Sequence, residues 1–133
     1  MELFLAQYRY WDLFLHESQH YLGRCYAALK SGQAIDPFLL PRDEQEEFAA
    51  IVLKVHTACT KLFRPDLYNY ANLRNAWPVC HWHIIPRYAT PRTFAGFTFD
   101  DRRWGKNYLN YEDLPLPDGT IIVQVRDAMK GAL

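Results

Sequence analysis

The clearest hydrophobic pattern in the chain follows Pro41. Apolar residues recur there at steps of three and four, the spacing of one face of an α-helix: Phe48, Ile51, Val52, Val55, Ala58, Cys59 and Leu62. Acidic side chains within residues 43–47 precede this stripe, where the positive end of a helix dipole favours them. Because Pro65 and Asp66 follow it, the pattern predicts one long helix between Pro41 and Arg64.

Two apolar and aromatic runs before this helix have the composition of strands. They cover residues 10–16 and 24–30, and the polar residues 17–20 separate them. Runs of this length on either side of a short polar segment are typical of a β-hairpin. The pattern therefore predicts a hairpin that ends near Ser31 and Gly32.

A second pair of strands is predicted after the helix. Leu67–Ala71 is rich in aromatic and apolar residues, a turn follows at residues 73–75, and residues 79–85 form another apolar run. Pro86 is expected to end that strand, because proline cannot donate to a ladder. The aromatic stretch 88–111 shows no regular period and is interpreted as irregular.

Residues 118–133 close the chain with apolar residues at helical spacing. Asp118 or Thr120 is suited to cap a helix there, although the β-branched residues 121–123 leave a strand as an alternative. Helix and strand thus mix without an alternating β-α-β rhythm, which favours an α+β fold with an antiparallel sheet and two main helices. We expect one domain over residues 1–133.

The composition limits the classes of function. Half of the 133 residues are hydrophobic, which is enough to build a core. Fifteen basic and fifteen acidic side chains cancel, so the chain lacks the basic surface of most nucleic-acid binders. A small nucleotide needs only a local pocket and is not excluded.

The cysteines and the lack of long apolar runs indicate the cellular location of the protein. Cys25, Cys59 and Cys80 are odd in number and irregularly spaced, unlike a disulfide framework or a closed zinc site. No run of about eighteen apolar residues predicts a membrane span, and the first ten residues do not resemble a signal peptide. We expect a reduced, cytoplasmic protein that does not bind membranes.

Candidate chemistry is concentrated in the predicted strand at residues 79–85. Successive side chains of a strand point to opposite faces. One face then carries Val79, His81, His83 and Ile85, and the other carries Cys80, Trp82 and Ile84. The second set suits packing under a helix. Histidine has a reference pKa of about 6.5, so at neutral pH one ring can act as a nucleophile while another donates hydrogen bonds.

The two histidines alone leave three interpretations open. Imidazoles two residues apart lie roughly 6.5–7 Å apart along a strand, which allows one to attack a phosphorus while the next contacts the leaving group. The same pair is also compatible with a metal site or with purely structural histidines. A metal site needs further ligands, and His16, His20 and His56 are distant in sequence.

A longer segment adds a family resemblance. Residues 69–88 read NYANLRNAWPVCHWHIIPRY, and the blocks YLGRC at 21–25, LK at 29–30 and WGKNY at 104–108 accompany them. Together they resemble the histidine triad (HIT) superfamily, in particular bacterial proteins related to diadenosine tetraphosphate hydrolases. The corresponding stretch in that group runs close to N-Y-x-x-L-G-N-x-x-P-H-x-H-x-H-h-I-P-R-Y, where h is hydrophobic. The resemblance covers nearly the whole chain.

The resemblance implies a HIT-like fold, often dimeric, and attack at the α-phosphate of a dinucleoside polyphosphate or nucleoside phosphoramidate. By position, His81 matches the nucleophile that forms a nucleotidyl-histidine, and His83 matches the histidine that contacts phosphate or leaving group. Asn75 and Asn69 become candidate phosphate ligands, and Glu17 a candidate ribose ligand. No resident metal is implied, although Mg²⁺ can accompany a polyphosphate.

The chain departs from the family pattern in two places. Val79 stands where the first histidine of the triad is expected, and Arg74 stands where the pattern has glycine. The backbone carbonyl of Val79 can still accept a hydrogen bond from His81 Nδ1 and fix its tautomer. Because of these two departures, a catalytically weakened or inactive nucleotide-binding or sensing protein is the second hypothesis. A metal-binding protein is the third. Residues 3–5 are expected either to line the base pocket or to pack.

Overall fold

The structure, a computed structural model, describes residues 3–133 as an antiparallel sheet with two helices. The elements are β1 (Phe4–Gln7), β2 (Trp11–Leu15), β3 (Cys25–Leu29), α1 (Arg42–Leu62), β4 (Leu67–Ala71), β5 (His81–Arg87), β6 (Arg92–Phe94), β7 (Phe97–Phe99) and α2 (Gly119–Ala132). A five-stranded sheet has the order β1-β2-β3-β5-β4, and every neighbouring pair in it is antiparallel. The predicted α+β fold is confirmed.

Both helices pack on one side of this sheet. Their buried faces meet alternate residues of the central strands in a single core that includes Leu13, Val55, Ile84 and Val125. The last segment is a helix and not a strand, because Asp118 caps it by accepting hydrogen bonds from the first backbone N–H groups. Within the described residues, neither helix is apolar enough over eighteen residues to span a membrane.

The expectation that Pro86 ends the strand predicted at residues 79–85 was wrong. β5 starts at His81 and continues through Pro86, which lies opposite Tyr68 of β4. The pairing between β3 and β5 extends only as far as Ile84. The missing N–H of Pro86 therefore falls beyond the end of the β3 ladder, where no partner is required.

Three short strands were not predicted. β1 has only four residues and adds to the edge of the sheet beside β2. β6 and β7 form a hairpin inside the stretch interpreted as irregular. Its turn residues, Ala95 and Gly96, have φ values of 54° and 78°. Alanine seldom adopts positive φ, so the sequence lacks the usual signal of a two-residue hairpin turn.

One buried ion pair attaches the segment after β5 to the other face of the sheet. Arg87 Nε donates to Asp101 Oδ2 at 2.7 Å, and Arg87 Nη2 donates to Asp101 Oδ1 at 3.2 Å. The same carboxylate accepts from the backbone N–H groups of Tyr88 and Arg103. Each carboxylate oxygen thus has two donors, which is the arrangement that makes a buried pair tolerable.

Removal of this carboxylate is expected to destabilise the fold. Asp101→Ala leaves the Arg87 charge buried without its partner, so the free energy of unfolding should fall by about 3–5 kcal/mol. Asp100→Ala is the matched control, because Asp100 is paired with Arg102 at the surface and should cost less than about 1 kcal/mol. Urea denaturation measures both, and equal losses would contradict the role given to Asp101.

Candidate functional site

An open cleft of about 540 Å³ lies on the side of the sheet away from the helices. Its lining consists of Leu3, Phe14, Leu15, His16, Glu17, Tyr26, Trp77, His81 and His83. The residues come from β2, β3, β5 and adjoining segments, and Leu3 immediately precedes β1. Among the described residues, aromatic side chains and imidazoles dominate the lining, with a single carboxylate, so the cleft offers stacking surfaces beside nitrogen donors and acceptors.

Strand register sets the floor of the cleft. Phe14 lies opposite Tyr26 in the β2–β3 ladder, and Tyr26 lies opposite His83 in the β3–β5 ladder. Directly paired residues share a face, so the three rings form one row across the sheet. Phe14 and Tyr26 stack with centroids 5.2 Å apart, and the Tyr26 and His83 centroids are 6.1 Å apart.

A short hydrogen bond fixes the imidazole of His81. Its Nδ1 lies 2.7 Å from the carbonyl oxygen of Val79. A carbonyl oxygen only accepts, so Nδ1 carries the proton and Nε2 of the neutral ring keeps its lone pair. The predicted tautomer-fixing role of the Val79 carbonyl is consistent with this geometry. The family pattern has histidine at position 79, and a valine side chain there leaves the backbone acceptor in place.

Two further imidazoles accompany His81. The His83 ring lies 5.1 Å from the His81 ring, and the His16 ring lies 5.6 Å from the His83 ring. His16 Nδ1 accepts from the backbone N–H of Ser18 at 3.0 Å, so its proton is on Nε2 when the ring is neutral. His83 Nδ1 is buried and has no hydrogen-bond partner within residues 3–133.

Burial keeps two of these rings neutral. It lowers the pKa of His83 to about 4 and the pKa of His16 to about 3, and the positive charge of Arg24 adds to both shifts. A phosphate anion in the cleft would act in the opposite direction, because a nearby negative charge favours protonated imidazole.

Some of the other predicted site residues line the cleft and others lie outside it. Glu17 lines the cleft beside His16, and Leu3 lines it as well. Asn75 is exposed in the connection between β4 and β5, outside the lining. Asn69 also lies outside it, and its Oδ1 accepts from Arg87 Nη1 at 2.7 Å. Phosphate binding by either asparagine stays a prediction.

The strain expected in the connection between β4 and β5 is present. Arg74, at the position where the family pattern has glycine, has a φ of 51°. A non-glycine residue in this region costs on the order of 1 kcal/mol. Arg74 is not among the residues that line the cleft.

Several site residues were missed by the sequence interpretation. His16 enters the cleft because β2 and β5 lie on either side of β3, so that the end of β2 comes near His83 across one strand, and no local pattern reveals that placement. Trp77 reaches over His81 from an irregular segment, with ring centroids 4.6 Å apart. Alternation along β3 would have placed Tyr26 on the histidine face once the strand order was known.

The described part of the chain shows no metal centre at these histidines. Residues 3–133 contain no group of three or more His, Cys, Asp or Glu side chains placed to hold a metal ion. His56 lies elsewhere, stacked on Tyr68 with centroids 3.9 Å apart. His20 packs against Tyr111 and is absent from the cleft lining.

Comparison with known proteins shows which solved structures share this fold. No protein-family model matches the sequence, and no curated protein does. Solved structures do match, among them a histidine triad protein from Bradyrhizobium japonicum with a TM-score of 0.78, 17% identity and coverage of 98% of this chain and 90% of that one. One from Marinobacter aquaeolei has a TM-score of 0.78, 18% identity and coverage of 99% and 88%.

A third structure is a hypothetical histidine triad nucleotide-binding protein from Sulfolobus tokodaii. It has a TM-score of 0.70 and 16% identity, and the match covers 99% of this chain and 83% of that one. Bacterial and archaeal proteins thus share this architecture over nearly the full chain. The chain has the histidine triad fold, as the sequence resemblance implied.

The lowered histidine pKa values predict acid destabilisation. The unfolded chain binds protons near the usual pKa of about 6.5, whereas folded His16 and His83 resist protonation. Stability is therefore full above about pH 6.5 and is lost as the pH falls towards their folded pKa values, by about 1–2 kcal/mol per histidine at pH 5.

His16→Asn tests this by replacing an imidazole with a side chain that does not titrate and keeps an acceptor for Ser18 N–H. Unfolding free energies at pH 8 and pH 5 should differ less in the variant than in the wild type. An identical pH dependence in both proteins would contradict the assignment to His16.

Proposed function

We propose that the protein is a nucleotide hydrolase or nucleotidyl transferase that acts at an α-phosphate through a nucleotidyl-histidine. The observation that carries the proposal is the hydrogen bond from His81 Nδ1 to the Val79 carbonyl, which leaves the Nε2 lone pair for attack. The cleft, the second imidazole of His83 and the histidine triad fold support it. Dinucleoside polyphosphates and nucleoside phosphoramidates are the proposed substrates.

The first step is displacement at phosphorus. The Nε2 lone pair of His81 forms a bond to the α-phosphorus while the bond from phosphorus to the leaving group breaks. His83, protonated in the presence of the phosphate anion, donates a proton to the departing atom or a hydrogen bond to a nonbridging oxygen. The Val79 carbonyl stabilises the positive charge that develops on the His81 ring.

The second step regenerates the enzyme. Water attacks the same phosphorus, His81 Nε2 leaves with the bonding pair, and the mononucleotide is released. His83, which lost its proton to the leaving group, is then neutral and can accept a proton from the attacking water. If an alcohol or phosphate replaces water, the same intermediate gives nucleotidyl transfer.

The remainder of the cleft is suited to a nucleoside. We propose that Glu17 accepts hydrogen bonds from ribose hydroxyls, since within residues 3–133 it is the only carboxylate that lines the cleft. The apolar and aromatic side chains of Leu3, Phe14 and Trp77 offer faces on which a base can stack. Asn75 and nearby backbone N–H groups are proposed donors to the phosphate oxygens.

A catalytically weakened or inactive nucleotide-binding protein is the second candidate, and one observation favours it. The imidazole that the family pattern has at residue 79 is replaced by the apolar Val79 side chain. That replacement removes a polar group next to His81 and leaves the cleft intact. Such a protein would bind nucleotides in the same place and turn them over slowly or not at all.

Three further expectations complete the proposal. We propose no resident metal, with Mg²⁺ arriving only on a polyphosphate substrate. We propose a homodimer, which the exposed Leu67 and Tyr70 on edge strand β4 support. A reducing, cytoplasmic location is supported by Cys25 and the other two cysteines, all of which are free and buried.

Turnover should depend on His81. A panel of adenosine and guanosine dinucleoside polyphosphates and phosphoramidates is incubated with wild type and His81→Ala, and mononucleotide release is followed by chromatography. The variant should lose at least about 10³-fold in rate, because it lacks the nucleophile. His56→Ala, at a histidine outside the cleft, should match wild type. Turnover that survives in His81→Ala would contradict the mechanism, and a folded but inactive wild type would favour the binding candidate.

Nucleotide binding should be visible through Trp77. Its ring is partly exposed and lies against His81, so an occupied cleft changes its surroundings and its fluorescence. AMP titration should alter the emission of the wild type and of Trp104→Phe, but not that of Trp77→Phe. A fluorescence change retained in Trp77→Phe would place the nucleotide elsewhere.

A further inference from the structure

Arg24 is a buried cation without an ionic partner among residues 3–133. The residue is 4% exposed, and its Nε and Nη1 atoms have no hydrogen-bond partner within residues 3–133. No carboxylate in that range forms a salt bridge with it, whereas the other buried arginine, Arg87, is bidentate with Asp101. A buried charge with unused donors is costly, and native structures normally satisfy it.

The strand geometry brings Arg24 to the cleft side of the sheet, beside the cleft-lining His16, although Arg24 is not itself among the lining residues. Its carbonyl accepts from His16 N–H at 2.9 Å, so the two residues are cross-strand neighbours. It precedes Tyr26 by two residues and therefore shares the face on which Tyr26 meets His83. Its charge acts on both imidazoles, since it contributes to the lowered pKa of His16 and of His83.

Aromatic rings close the other side of the guanidinium. The Arg24 Cζ atom lies 5.5 Å from the Tyr108 ring centroid and 5.3 Å from the Tyr111 ring centroid. These contacts hold the planar group in place and supply no hydrogen-bond acceptor. Nearby, His20 Nδ1 is also buried without a partner, and its ring lies 4.6 Å from that of Tyr111.

We propose that Arg24 binds the anionic leaving group of the substrate, so that the cleft prefers a phosphate chain to an uncharged amine. The inference rests on the proposed function and narrows its substrate class to nucleotides whose α-phosphate carries further phosphates. The Arg24 nitrogen donors that lack a partner within residues 3–133 belong to a guanidinium whose charge acts on His83, and they match the several acceptor oxygens of a phosphate chain. Arg24 would thereby offset the charge of the leaving group as it separates from phosphorus.

The competing explanation is structural, with Arg24 serving only to pack between β3 and the tyrosines. Packing alone would make Arg24 variants lose activity equally on all substrates, through loss of folded protein. Charge recognition instead changes the preference between substrates. The ratio of kcat/KM for two substrates on one preparation separates these cases, because the folded fraction cancels in the ratio.

The experiment compares diadenosine tetraphosphate with an adenosine phosphoramidate of a neutral amine, which share the adenylyl half and differ in the leaving group. Arg24→Gln removes the charge and retains hydrogen-bonding capacity, and Arg24→Lys retains the charge. Arg42→Gln is the matched control, because it also removes one positive charge and lies at the exposed start of α1. The wild type should prefer the tetraphosphate.

Arg24→Gln should lower the ratio for tetraphosphate over phosphoramidate by about 10- to 100-fold, the loss expected for a charge-assisted contact. Arg24→Lys should keep most of the preference, and Arg42→Gln all of it. An unchanged ratio in Arg24→Gln would overturn the inference while the hydrolase function stands. If the wild type turns over neither substrate, the hydrolase proposal fails. Binding then decides the role of Arg24: the ratio of dissociation constants for adenosine tetraphosphate and AMP is compared between the wild type and Arg24→Gln.

Discussion

The hydrogen bond between His81 Nδ1 and the Val79 carbonyl is the contact on which the proposed chemistry depends. It determines which ring nitrogen keeps a lone pair, and it holds the ring where β5 begins. The acceptor is a backbone atom, so its presence does not depend on the side chain at position 79. This is why the loss of the first histidine of the family pattern is compatible with an intact nucleophile, although it removes a neighbouring polar side chain.

The sheet register assembles the rest of the candidate site around His81. Pairing of Tyr26 with His83 sets the aromatic row, and pairing of the end of β2 with β3 brings His16 within reach of the same ring. Burial lowers the pKa of both His16 and His83 and so favours their neutral forms. The buried ion pair between Arg87 and Asp101 attaches the segment after β5 to the face of the sheet away from the helices.

Local patterns predicted the parts of this arrangement that depend on short stretches of chain. Period-two alternation placed His81 and His83 on one face, and period-three-to-four spacing predicted α1 and α2. The sequence did not reveal His16 as a site residue, because its position follows from strand order and not from its neighbours. Trp77 was missed since it lies in an irregular connection, and the β6–β7 turn was hidden by Ala95 at positive φ. Pro86 misled the interpretation because its effect depends on which strand lies beside it.

Direct detection of the covalent intermediate tests the central claim most sharply. The protein is mixed with diadenosine tetraphosphate, quenched in alkali, in which a phosphorus–nitrogen bond to imidazole persists, and digested for mass spectrometry. We expect one added nucleotidyl group on the peptide that contains His81, formed within a single turnover. Turnover without an adduct, or an adduct on another residue, would contradict covalent catalysis by His81.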